Sequence, residues 1–254
     1  MKPVPDPAAG AERLLPDGRL DRSAAPAVVN GNDEYALEAA LKLVEAEGGE
    51  VTLLAMAPAS APETMRKALA MGAHNGVLVT DPALAGADAR TTTRVLAAAL
   101  RTLEFDLAFC GVDTSDGQAG VVPAGIAALL RLPYLSYATR IEPEPDGSRV
   151  RVRRISPTGY HLLEAPMPAL VGCTQALGEP RYPSLKGIMG ARSKEIVVRS
   201  LADVGIDAAV LGAWSTRVLE ARPPATREAT RVVRGSALDG AREIVEFLVD
   251  RRLV

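Results

Sequence analysis

Apolar positions along this chain fall into two kinds of run. Short blocks without polar alternation, Val51–Met56, Gly76–Val79 and Phe105–Cys110, have the length of strands. Between them lie longer stretches with a single apolar face. Leu37, Leu41 and Val44 mark one over 34–45, Met65, Leu69 and Ala70 a second, and Val95, Leu96, Leu100 and Leu103 a third over 88–103. That spacing predicts helices, and a further one is expected from about Val122 to Leu130. Alternating strands and helices call for right-handed crossovers and a mainly parallel sheet. Uninterrupted apolar strands require helices on both faces of it. The reading is an α/β fold with three layers and a doubly wound sheet.

Punctuation residues sharpen the boundaries. Asn32 and Asp33 offer caps to the first helix, and Gly48-Gly49 stops it. Ser60 and Glu63 have the spacing of a capping box, with Pro62 in the first turn, and Gly72 stands where a left-handed cap is wanted. Pro16 and Asp17-Gly18 mark a turn in the Pro-, Ala- and Gly-rich first 29 residues. After Pro133 the period changes. Arg149–Ile155 alternates charged and apolar residues behind the hairpin signal Asp146-Gly147, and Ala169–Thr174 is another strand. This region is expected to add antiparallel strands to the parallel sheet. Beyond Gly205 comes a stretch rich in Pro, Arg and Thr with Pro223-Pro224, then an amphipathic helix over 238–249. We read residues 1–200 as one α/β domain and 201–254 as an extended arm whose apolar helix face needs a partner.

Composition narrows the function. The 254 residues are 48% hydrophobic, ample for a large core, and the net charge of −2 gives no general attraction to nucleic acid. With 4% aromatics there is little to stack on bases. No run is long and apolar enough to span a membrane, and Met1-Lys2-Pro3-Val4-Pro5-Asp6 has no signal-peptide core, so a cytoplasmic setting is expected. Cys110 and Cys173 are isolated and read as buried reduced thiols, and no metal site is indicated. The two histidines, His74 and His161, have no nucleophile in a recognisable motif, and the carboxylates are scattered. No catalytic residue is expected.

Two loops could bind a ligand. Gly111–Gly120 follows a strand and precedes a helix, where open parallel sheets place their ligands. Its glycines would let a phosphate approach the backbone, Thr114 and Ser115 carry hydroxyls, and the helix start supplies free N–H groups. The alternative is an ordinary turn capped by Asp116. Asn30-Gly31-Asn32-Asp33 is the second loop, with plain helix capping as its alternative. A third segment, Glu179–Lys194, has no catalytic groups. It starts with the Pro-flanked turn around Tyr182, presents Leu185, and carries Lys186, Arg192 and Lys194. An apolar anchor beside a basic rim reads as a docking element.

Glu179–Lys194 also closely resembles the recognition loop of the electron transfer flavoprotein beta subunit, E-P-R-[YF]-x-[ST]-[LF]-x-x-I-M-x-A-[KR]-[KR]-K. Other stretches agree in chain order: Lys2–Asp6 resembles the family's K-[QR]-V-P-D, Asn32–Ala40 its first helix, Arg66–Ala73 its R-x-A-L-A-M-G-A, and Ser115-Asp116-Gly117 its nucleotide loop. The resemblance covers nearly the whole chain. It implies a fold of the adenine-nucleotide-binding type and a heterodimer with an alpha subunit that holds most of an FAD. It implies AMP in a structural role, with contacts from Asn30, Gly31, Asn32, Asp33 and Met56, and from Thr114, Ser115, Asp116, Gly117, Gln118, Ala119, Gly120, Val121 and Val122 onward. Gln118-Ala119-Gly120 favours AMP over a second FAD. Acyl-CoA or similar dehydrogenases, with links to fatty acid β-oxidation, would deliver electrons one at a time. A membrane quinone oxidoreductase would accept them. Docking would fall to Tyr182, Leu185, Lys186, Ile188, Met189, Arg192 and Lys194.

Three departures stand out. The family has an apolar strand before K-x-V-P-D, whereas this sequence begins at Met1-Lys2; either the start lies upstream or the sheet is one strand short. Arg154–His161 lacks the family's acidic residues, and Pro7 stands where some relatives place an aromatic. A nucleotide-binding regulatory or stress-type protein of the same fold is the alternative, though it would not need the 179–194 segment or the arm. An adenylating enzyme is a third, weakened by the absence of an S-G-G-x-D-S loop.

Overall fold

The chain opens with two short strands, β1 (Pro3–Pro5) and β2 (Ala27–Val29), paired antiparallel. Helices and strands then alternate: α1 (Gly31–Glu47), β3 (Thr52–Met56), α2 (Pro62–Met71), β4 (Asn75–Val79), α3 (Ala89–Leu100), β5 (Leu107–Gly111) and α4 (Val122–Leu130). This is the order that the apolar runs predict. The computed structural model describes residues 1–10, 13–211, 216, 218–222 and 232–254, which fall into two units, Met1–Ala221 and Arg222–Val254.

Four strands follow α4. β6 (Tyr134–Pro143), β7 (Arg149–Ser156) and β8 (Gly159–Pro166) form an antiparallel meander. Asp146 makes the first turn by accepting from the N–H and hydroxyl of Ser148. β9 (Ala169–Cys173) departs from the expectation: it runs parallel to both β5 and β6, inside the sheet. All five of its residues are buried, which is what a central parallel strand requires. A strand unforeseen in the sequence, β10 (Ile196–Arg199), pairs parallel with β4 at the edge.

Helices cover both faces. On one, Met65 and Leu69 of α2 and Leu37 and Leu41 of α1 pack with Leu53 and Ala55. On the other, Val95 and Ala99 of α3 pack with Val79, while Ala97, Ile126 and Ala127 meet Leu170. Burying each such Leu or Met stabilises the fold by about 1.5–3 kcal/mol. The strands themselves form two sheets, β10-β4-β3 and β5-β9-β6-β7-β8. No strand among the described residues joins β3 to β5.

Several caps differ from their sequence reading. The cap residue of α2 is Ala61, whose N–H bonds to the Pro58 carbonyl; that turn already delivers helical backbone into Pro62, and Ser60 makes no capping box. α1 is capped by Asn30, two residues ahead of the Asn32-Asp33 pair, and with no side-chain cap bond. Gly72 does close α2, at φ 142°, its position pressed against Leu41. The 179–194 segment contains a short helix, α5 (Leu185–Ala191), started by the Ser184 hydroxyl accepting from the Gly187 N–H. In the second unit, α6 (Ala237–Asp250) begins with a capping box between Ser236 and Asp239. Its Leu238, Ile244, Val245, Phe247 and Val249 are exposed. The Pro223-Pro224 pair lies outside the described residues.

Candidate functional site

A crevice of about 550 Å³ opens beside the carboxyl end of β5. Val4, Asp6 and Pro7 form one wall, Asn30, Gly31, Asn32 and Tyr35 a second, and Asp113, Thr114, Ser115 and Gln118 a third. The two loops singled out in the sequence therefore meet. Asn30 joins them. Its side chain is 1% exposed; Nδ2 donates to the Asp113 carbonyl at 2.9 Å and Oδ1 accepts from the Ser115 N–H at 3.1 Å. Asn32 adds a second bond to the same carbonyl at 3.1 Å. The amide of Asn30 is committed across the crevice, which is why α1 lacks a side-chain cap. Gly111 permits the approach: a Cβ there would lie 2.6 Å from that of Asn32.

Two carboxylates brace the crevice from below. Asp33 accepts from the N–H of Lys2 at 2.8 Å and of Gly111 at 3.0 Å. Asp116, with its side chain 1% exposed, takes Lys2 Nζ at 2.7 Å and Arg22 Nε at 2.8 Å. Burial pushes the Asp116 carboxyl up, but the bonds from Lys2, Arg22 and Thr114 outweigh it and hold the pKa below the usual range. Asp113 folds its own loop, accepting from the N–H groups of Thr114 and Gly120. Also facing the crevice are the first turn of the 17-residue α1, with the Glu34 carboxyl, the Asp6 carboxyl, and amides and hydroxyls. A helix start of this kind favours an anionic group such as a phosphate.

The second feature is α5. Gly187 sits so close to α2 that an added Cβ would lie 2.3 Å from the Ala70 carbonyl, and Ala191 is buried beside it. The opposite side presents Leu185 at 75% exposure, Met189 at 67% and Tyr182 at 95%. Ion pairs hold the segment at its start. Arg181 Nε donates to Glu38 Oε2 at 2.7 Å, its backbone N–H donates to the same oxygen at 3.1 Å, and its other end pairs with Glu45. Glu38 is buried in α1; burial raises its pKa, yet the bonds from Arg181 carry it below the ordinary value. At the other end, Arg66 donates to the carbonyls of Ala191 and Lys194, and Lys194 Nζ to those of Leu69 and Ala73 at 3.0 and 2.6 Å. Lys194 thus caps the end of α2, and burial lowers its pKa. The outward basic groups of this segment are Lys186 and Arg192.

These features have counterparts in known proteins. A model of the electron transfer flavoprotein domain matches residues 17–204. The electron transfer flavoprotein subunit beta of Mycobacterium leprae is 38% identical over 264 residues, covering all of this chain and 97% of its own. The chain belongs to the electron transfer flavoprotein beta-subunit family. The subunit beta of Thermoanaerobacterium thermosaccharolyticum is similar at 34% identity, with 100% and 98% of the two chains covered. So is the acryloyl-CoA reductase electron transfer subunit gamma of Anaerotignum propionicum, at 31% identity with 100% and 98% covered. Relatives of this chain are therefore named as electron transfer subunits.

Of the residues expected to contact a nucleotide in this family, Asn30, Gly31, Asn32, Thr114, Ser115 and Gln118 line the crevice. Asp33 and Asp116 stand behind it as braces, and Gly117 lies near Lys2 Nζ and the Thr114 hydroxyl. Met56 packs toward the core formed with Val79 and Val95. Ala119, Gly120 and Val121 lead into α4, which starts at Val122, and none of the four is among the lining residues. Sequence reasoning passed over Lys2, Arg22, Glu38 and Arg181. A signal existed for Glu38: a carboxylate in α1 next to the apolar Leu37 and Leu41 face needs a partner.

Proposed function

We propose that this chain is the beta subunit of a heterodimeric electron transfer flavoprotein working in the cytoplasm. It takes electrons from acyl-CoA or related dehydrogenases, as in fatty acid β-oxidation, and passes them to a membrane quinone oxidoreductase. It contributes no catalytic residue. The observation that carries the reading is the 179–194 segment, which shows Tyr182, Leu185, Ile188 and Met189 to solvent while charged side chains fasten its two ends. Such a mounting suits repeated transient contact, with Lys186 and Arg192 steering an acidic partner. The kinship with an acryloyl-CoA reductase subunit supports a partner that works on acyl-CoA substrates. Among the described residues no helix is long and apolar enough to cross a membrane, so a quinone oxidoreductase would be met as a partner.

The crevice fits AMP in its chemistry. Asn30, Gly31, Asn32, Thr114, Ser115 and Gln118 supply amides, hydroxyls and a helix start for a phosphate and ribose, while Tyr35 and Val4 give an apolar wall. The FAD would be held mostly by the alpha subunit and supplies the redox chemistry when bound. This chain's part is to close one side of the complex, with the apolar face of α6 packing on that subunit. Co-expression with an alpha subunit tests the proposal. A yellow heterodimer that releases AMP on denaturation is expected; a pair that never forms, or forms without flavin, overturns it.

A further inference from the structure

One wall of the crevice is a loop in a costly conformation. Thr114, Ser115 and Gln118 line it, and Gln118 stands at φ 45°, a left-handed backbone that is uncommon for a residue with a side chain. Such a conformation persists where neighbouring bonds over-determine it. Asn30 fixes the start of the loop at Ser115, and the Gln118 N–H closes on the Thr114 carbonyl at 3.0 Å. Between Ser115 and Gln118 comes Asp116, which is not among the lining residues and whose side chain is 1% exposed. Given the nucleotide role proposed for the crevice, we propose that Arg22 is a positioning residue for this wall: acting through Asp116, it fixes the loop from behind and sets how tightly the crevice holds the phosphate of a nucleotide.

Asp116 is held by two cations with different supports. Lys2 Nζ donates to Oδ1 at 2.7 Å, and Arg22 Nε donates to Oδ2 at 2.8 Å. Lys2 belongs to the frame, since its N–H and that of Gly111 both bond to Asp33. Arg22 arrives from a separate piece of chain, which is tied by its own bonds. There the Leu15 N–H donates to the Arg19 carbonyl at 2.7 Å, the Asp21 N–H to the Arg13 carbonyl at 2.8 Å, and Arg19 pairs with Asp17. Past Arg22, the Pro26 carbonyl accepts from the Asp6 N–H at 2.9 Å, beside the wall that Asp6 and Pro7 form. Arg22 thereby links the Asp6–Pro7 wall to the Thr114–Gln118 wall.

Charge adds weight to the link. Asp6, Glu34 and Asp113 line the crevice, and among the described residues no Lys or Arg does. A phosphate that enters meets carboxylates in front. Behind the loop stand two cations against the one carboxylate of Asp116. Without Arg22 that knot loses its excess of positive charge, and one oxygen of Asp116 loses its partner. Arg22 is itself half exposed, so solvent screens its bond and the contribution to folding is modest. Its effect belongs in ligand affinity more than in stability.

Calorimetric titration of AMP into the 254-residue chain tests this without any redox partner. The variants are Arg22→Gln, Arg22→Lys, Asp116→Asn, and Arg22→Gln combined with Asp116→Asn. Arg22→Gln should weaken AMP binding by about fivefold, the weight of one part-exposed charge pair. The melting temperature of the ligand-free chain should stay within about 2 °C of the wild type. Arg22→Lys, which keeps a point charge, should bind within about twofold of the wild type. Asp116→Asn should lose affinity although it leaves two cations behind the loop, and the double variant should lose no more than the weaker-binding single one. Unchanged affinity in Arg22→Gln, tighter binding in Asp116→Asn, or additive losses in the double variant overturn the proposal. So does a loss of affinity that tracks a falling melting temperature and that Lys does not restore, which would make Arg22 a structural residue only. If Asp116→Asn does not fold, the Gln and Lys variants decide alone. A wild-type chain that binds no AMP overturns the nucleotide role and the positioning role together; normal AMP binding by Arg22→Gln overturns the positioning role alone.

Discussion

The crevice and α5 are both built around a buried carboxylate gripped by basic side chains, yet they present opposite surfaces. At the crevice, Asp116 takes Lys2 and Arg22, Asp33 takes two backbone N–H groups, and Asn30 ties the loops together. The polar groups there are spent on holding a concave shape lined with amides. At α5, Glu38 takes Arg181 from beneath, and the side chains facing out are the apolar Leu185, Ile188 and Met189 beside Lys186 and Arg192. One arrangement suits a small polar molecule that enters the protein. The other suits a protein surface that comes to it. The sign of the buried charge is the same in both; what differs is where the apolar side chains point.

The sharpest way to break this contrast is to remove one grip at a time. Arg181→Ala leaves Glu38 buried with only Lys42 nearby, and should cost about 2–3 kcal/mol, less than a fully buried pair because the site is partly exposed. Thermal unfolding measures this, and nucleotide content should stay unchanged. Leu185→Ala should leave stability and flavin content untouched while slowing electron transfer from the dehydrogenase by about thirtyfold, the weight of a roughly 2 kcal/mol anchor. An unchanged rate removes Leu185 from docking. Asn30→Ala strands the Asp113 carbonyl and Ser115 N–H, and should cost about 1–2 kcal/mol with loss of bound AMP.

Acid should act on both knots together. The carboxyls of Asp116 and Glu38 are held below their ordinary values in the folded chain. Their stabilisation is complete above the unfolded carboxyl pKa and is lost as pH falls through the folded one. Melting temperature should therefore be flat above about pH 5 and fall below about pH 4. In Glu38→Gln that fall should be shallower. The smallest effect is expected for Lys186→Glu, which should slow docking by about threefold at low salt and not at high salt, since exposed charges are screened.

Much of the fold was legible because apolar period and apolar burial coincide. The helix expected from about Val122 to Leu130 has those bounds, and the order from α1 to α4 follows the pattern, whereas β1 and β2 in the first 29 residues were not foreseen. The misses share a cause: long-range bonds overrode local signals. Ala169–Thr174 carries the same apolar run whether its neighbours are parallel or antiparallel, and its direction is set by β5 and β6. Ile196–Arg199 is short and sits behind a basic run, so it reads as loop until β4 supplies its partner. Asn30 reads as a helix cap, but the Asp113 loop, far along the chain, claims its amide. Leu185 was legible as exposed. That it begins a helix depends on Gly187 fitting against Ala70, which spacing along the chain does not reveal.

That fit at Gly187 separates the mounting of α5 from its contact face. The groups that fix its height, Gly187, Ala191, Arg181 and Lys194, touch the body of the protein, while Leu185, Met189 and Tyr182 are mostly exposed to solvent. On the proposed docking role, a lineage could exchange one redox partner for another by changing three or so outward side chains, with no compensating change beneath. Retargeting an electron carrier becomes a surface edit on a fixed bracket.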